Sequence, residues 1–172
     1  MRSLKLFGIW LTGILGAGAL GAITNAINAN ISERYYRIKL GWFDIEHINQ
    51  AIIAQGIFEG LVLGLILSSV LTTAVGLISR GECSYSFGIR HTGGLLLSAL
   101  ICWIIGGLLA MALAVISPEF YMHAFMGVPE AAGERIRYAW VGGSIWGVEF
   151  GGIGATLVMI ALFRAAWMQK EA

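Results

Sequence analysis

Four long apolar stretches, at about 6–29, 48–79, 91–116 and 136–167, take up most of the chain and restrict its fold more than any other feature. Each reaches the roughly 20 residues a helix needs to cross a hydrocarbon core about 30 Å thick. Inside a bilayer every backbone N–H and C=O must find its partner within the protein, and helices meet that demand segment by segment. The sequence therefore predicts an all-α integral membrane protein with four transmembrane helices in a single membrane domain spanning residues 1–172. With 58% hydrophobic and only 12% charged residues and a mean hydropathy of +0.79, the chain is poorly suited to water. A formal net charge of +1 offers no basic excess for nucleic acid. The expected partners are the lipid bilayer and other membrane segments, through partner subunits or self-association. Arg2 and Lys5 precede the first stretch as they would in a secretory signal, but the stretch exceeds the usual core of roughly 7–15 residues, so a retained first helix is expected.

Polar, charged segments at 30–47, 80–90 and 117–135 connect the spans, and Pro118 and Pro129 punctuate the third. With the N-terminus inside, six Lys and Arg residues fall on the inner side and five on the outer. Glu33, Asp44, Glu46, Glu119, Glu130 and Glu134 all gather outside. The expected orientation is N-in and C-in, in a bacterial inner membrane. Tyr35, Tyr36, Trp42, Phe120, Tyr121, Tyr138 and Trp167 lie near span ends, where aromatic rings favour the headgroup level. They are expected to anchor the interface.

An internal repeat organises the chain. Ile31-Ser32-Glu33-Arg34-Tyr35-Tyr36, after the first span, resembles Ile116-Ser117-Pro118-Glu119-Phe120-Tyr121, after the third, and Gly41 is matched by Gly127. Gly56-Ile57-Phe58-Glu59-Gly60 parallels Trp146-Gly147-Val148-Glu149-Phe150-Gly151. Two tandem helical hairpins follow, at about 6–79 and 91–167, related by a parallel repeat that pairs Glu59 with Glu149.

Small residues recur every fourth position in the second span, at Gly56, Gly60, Gly64 and Ser68, and in the fourth, at Ala139, Gly143, Gly147, Gly151 and Ala155. Such ladders let helix backbones approach closely where lipid supplies no hydrophobic drive for association. Their expected role is packing inside the bundle.

Glu59 and Glu149 are the candidate functional residues, expected to be buried, because an ionisable group within a span is costly and faces a bundle interior, a cavity or a partner. Gln55 lies one turn before Glu59 and Thr156 two turns after Glu149, placed to hydrogen-bond the carboxyls or extend a polar track. Together the four make a candidate ion or proton site, against the alternative that each carboxyl simply pins one helix to another. Thr24, Asn25, Asn28 and Asn30 are expected to cap the polar end of the first span. Asp44, Glu46 and His47 form too thin a set for a metal, and no histidine lies mid-span to hold a haem, so neither metal nor cofactor is expected. Ser144 lacks a base at its depth and reads as a packing residue. The expected function is that of a non-catalytic accessory or structural subunit, or an assembly module of a larger membrane complex. The alternative is a small proton- or cation-coupled transporter or channel using Glu59 and Glu149.

Overall fold

The computed structural model describes residues 2–171, with side chains over 3–170; the Arg2 charge counted toward orientation lies outside the described side chains. Five helices are present, α1 (Arg2–Leu40), α2 (Ile48–Ile78), α3 (Tyr85–Ile116), α4 (Pro118–Ala124) and α5 (Ala132–Glu171), and no strand occurs among the described residues. The helices α1, α2, α3 and α5 are each long and apolar enough to cross a membrane. The short α4 falls within the stretch expected to be loop.

α1, α3 and α5 outrun their apolar stretches, while α2 keeps within its own, because polar turns are held by caps and breaks that hydropathy does not register. Ser84 opens α3 six residues before the expected span, its hydroxyl accepting the Phe87 amide at 3.3 Å. In α1 the helical path breaks at Ser32 (φ −156°, ψ 89°) and resumes to Leu40. Gly41, at φ +69°, then closes it, with the Trp42 amide donating to the Arg37 carbonyl at 3.0 Å. The end of α3 follows a parallel course. Ser117 breaks the helix (φ −136°, ψ 74°), Pro118 starts α4 with its φ already set, and Gly127 adopts φ +74°.

α1 packs mainly against α2, and α3 against α5. The glycine ladders lie in these two seams. A β-carbon on Gly56 would strike the Gly21 carbonyl, one on Gly60 the Ala17 carbonyl, and one on Gly64 the Ala17 side chain. In the other seam, Gly143 meets the Gly106 carbonyl, Gly147 the Cys102 carbonyl, and Gly151 the Cys102 side chain. The two seams thus agree level by level. In this register Glu59, just before Gly60, corresponds to Trp146, just before Gly147, and not to Glu149. The expected pairing of the two carboxyls as repeat equivalents therefore does not hold.

Apolar packing concentrates at the two ends of the bundle. At one end Tyr35, Tyr36, Ile48, Ile52, Tyr138 and Val141 form a cluster, with Tyr121 packed beside it against Ala114 and Ala139. At the other, Leu71, Val75, Cys83, Phe163 and Trp167 fill the space around the chain-terminal ends of the helices. Five of the seven expected interface anchors, Tyr35, Tyr36, Tyr121, Tyr138 and Trp167, are core residues. The tyrosine rings pack edge to face or tilted: Tyr35 against Tyr36 at 5.5 Å and against Tyr138 at 5.0 Å between centroids. Burial pushes the Tyr121 hydroxyl up to about 12, with neighbouring Tyr138 adding to the effect.

Candidate functional site

Between the packed ends the two hairpins stand apart around a cavity of about 490 Å³, lined by all four spanning helices. Its back wall comes from α1 and α3: Gly13, Thr24, Asn25, Asn28, Thr92, Leu95, Ala99 and Trp103 all line it and are buried. Its front comes from α2 and α5, where Phe58, Glu59, Val62, Ile66, Glu149, Phe150 and Ile153 line it and are exposed. The cavity is therefore a window that opens sideways between α2 and α5. Below the carboxyls the frame closes where Leu67 approaches Gly152, whose added β-carbon would lie 3.0 Å from the leucine Cδ1.

Both candidate carboxyls are at this opening. They were expected to be buried, and both are exposed at the cavity mouth. The reason is angular: Glu59 precedes Gly60 by one residue, about 100° round the helix from the packed seam, and Glu149 follows Gly147 by two. Gln55 donates to Glu59 Oε1 from Nε2 at 2.8 Å, a pairing along α2 itself. Thr156 does not reach Glu149; it is buried and spends its hydroxyl on the Gly152 carbonyl at 2.8 Å. Among the described residues Glu149 has neither a hydrogen-bond donor nor a cation beside it. Each carboxyl has a phenylalanine next to it in sequence, Phe58 and Phe150, and these are 63% and 62% exposed at the same opening.

The upper back wall is a polar network that the sequence reading assigned to capping. Asn25 is buried and ties α1 to α2 and to its own course beyond the Ser32 break: its Nδ2 donates to the Ile52 carbonyl of α2 at 3.0 Å, and its Oδ1 accepts from the Tyr36 hydroxyl at 3.0 Å. Asn28, 0% exposed, joins the hairpins. Its Nδ2 donates to Ser144 Oγ at 3.1 Å, and its Oδ1 accepts from Trp140 Nε1 at 3.1 Å. Of the expected caps only Thr24 and Asn30 turn back on their own helix, Thr24 to Leu20 and Gly21 and Asn30 to Ala26. Ser144 is thus a hydrogen-bond node and not merely a small packing residue. The available signal was the one-turn spacing of Asn25 and Asn28, which sets both amides on one face of an otherwise apolar helix.

Trp103 completes the wall. Its ring packs at 89° and 5.2 Å from Trp140, and it is only 6% exposed. Its indole nitrogen has no hydrogen-bond partner among the described residues. A buried donor left unmatched carries a desolvation cost of about 1–3 kcal/mol.

The site presents two carboxyls at its mouth and a largely apolar interior. Among the described residues no three His, Cys, Asp or Glu side chains converge to hold a metal ion. No protein family, curated protein or solved structure matches the chain.

Proposed function

We propose that this protein is a small non-catalytic membrane carrier for a cation or for protons, with Glu59 and Glu149 as the counter-charges. The observation that carries the reading is that both carboxyls line one cavity between the hairpins while Glu149 lacks any partner among the described residues. Two carboxylates at the mouth of one apolar hollow repel each other, and within a membrane an opening of this kind keeps them from bulk water, so a bound cation or a proton relieves both costs. The packed clusters above and below the cavity favour a carrier over an open pore.

Within this reading the chain is two tandem hairpins, 6–79 and 91–167, with both termini on the cytoplasmic side of a bacterial inner membrane. Supporting the repeat are the matched breaks at Ser32 and Ser117, the positive φ of Gly41 and Gly127, and the shared register of the seams. Supporting the orientation is the excess of basic residues on the terminal side. Two rigid hairpins meeting over a hollow can rock against each other about an axis along the membrane normal, the motion by which duplicated carriers expose a central site to either side.

A second reading, an accessory or assembly subunit, is favoured by one feature: the exposed apolar rim of the window at Phe58, Val62, Ile66 and Ile153, against which a partner's membrane helix can lie. The glycine ladders do not add to it, because both are spent within the chain.

The test is flux into vesicles reconstituted with the purified protein. Wild-type protein should carry protons or small cations above the rate of protein-free vesicles, and the Glu59→Gln, Glu149→Gln double variant should fall to that rate with unchanged helical content. Wild-type flux equal to that of empty vesicles, across protons and mono- and divalent cations, would overturn the carrier reading.

A further inference from the structure

A bare ion leaves most of this cavity unused. About 490 Å³ is the size of a small-molecule pocket and not of an ion cage. Hard cations such as Ca²⁺ require six to eight oxygen ligands, whereas the wall here is largely Leu, Ile, Ala and Gly. Of the polar side chains in the wall, Thr24, Asn25, Asn28 and Thr92 already bond within the protein, which leaves the two carboxyls at the mouth as its open charged groups. Exposed Phe58 and Phe150 rings flank the carboxyls, and an aromatic face attracts a soft cation. The opening is lateral, between α2 and α5, two of the four helices long and apolar enough to cross a membrane.

We infer that the cavity takes a lipophilic organic cation, an ammonium or phosphonium group carrying an apolar body, which slips in from the bilayer between α2 and α5. The charge rests between Glu59 and Glu149 beside Phe58 and Phe150. The apolar body fills the space against Leu95, Leu96 and Ala99. This rests on the reading of the two carboxyls as counter-charges, and it adds the class of ligand and its route.

Tetraphenylphosphonium added to the purified protein in mild detergent is the probe, followed by calorimetry and by tryptophan fluorescence, since Trp103 lines the cavity and packs against Trp140. Saturable binding is expected, weakened at least tenfold in Glu149→Gln and in Ile153→Trp, which fills the opening, and unchanged in Glu134→Gln on the surface. Sodium at equal concentration should not displace the probe. Absence of saturable binding, or binding indifferent to Glu59→Gln, Glu149→Gln and Ile153→Trp alike, overturns the inference. So does a purified dimer that binds no probe, since a second copy then occupies the window. Carboxyl-dependent flux of protons or sodium without probe binding leaves the carrier reading standing and this inference refuted; carboxyl-dependent probe binding without flux of any cation does the reverse.

Discussion

The seams within each hairpin and the gap between the hairpins are built on opposite principles. In the seams glycines bring backbone onto backbone, Gly56 and Gly60 against Gly21 and Ala17, Gly143 and Gly147 against Gly106 and Cys102. In the gap the helices stay apart, and polar side chains such as Asn28 and Ser144 reach across. The difference shows how an apolar chain apportions its few means of cohesion. Where helices only have to associate, van der Waals contact along a smooth ladder suffices. Where they must leave room, apolar clusters at the two ends and a few directional bonds between them fix the distance without filling it.

The sharpest way to break this contrast is to attack a seam. Gly147→Leu places a side chain where the Cys102 carbonyl now lies, and neither helix backbone can yield. Overpacking of a tight interior costs typically about 1–3 kcal/mol, and more where the obstacle is backbone. Loss of the monodisperse species on size exclusion is expected, whereas normal folding would mean that the ladder is not what joins α3 to α5.

A smaller effect should follow from cutting the gap. Asn28→Ala removes the donor to Ser144 Oγ and the acceptor of Trp140 Nε1, leaving the half-buried indole N–H unmatched while Ser144 keeps its bond to the Val141 carbonyl. Buried hydrogen bonds within membrane bundles are worth about 0.6 kcal/mol on average and up to about 1.7. A loss of about 1–2 kcal/mol in denaturant or thermal unfolding is expected, together with faster crosslinking between cysteines placed across the hairpins. A penalty as large as that of Gly147→Leu would erase the distinction between seam and gap.

The least effect belongs to Arg34→Ala. The Arg34–Glu134 pair also links the hairpins, but both side chains are more than half exposed, 55% and 54%. Exposed pairs contribute about 0–1 kcal/mol. Unfolding should be within error of wild type, and a clear destabilisation would show the gap to be held at its surface as well as by Asn28.

The spans could be read in the sequence because length and apolar content alone decide them, and the ladders because a four-residue period survives without knowledge of any partner. The course of α1 beyond Ser32 could not. That segment is polar and stays helical because Tyr35 and Tyr36 pack onto Ile48, Ile52 and Tyr138 far along the chain. The roles of Asn25 and Asn28 were hidden for the same reason, since the partners of Asn28 lie in α5. The carboxyls were found by type and misjudged in burial. Depth in the membrane follows from position along a span, but exposure depends on how far each helix is turned relative to the other hairpin, and no local pattern encodes that angle.

The sideways opening also determines what a bound molecule must compete with. In water a hollow lined with leucine and isoleucine would draw in any oily group, but in a bilayer the surrounding medium is itself hydrocarbon. Moving an apolar tail from lipid into this cavity gains little, because the tail leaves one apolar surrounding for another. For the proposed cation, selection over the acyl chains at the window would therefore fall to Glu59 and Glu149, whose attraction for a positive charge is stronger where water is scarce.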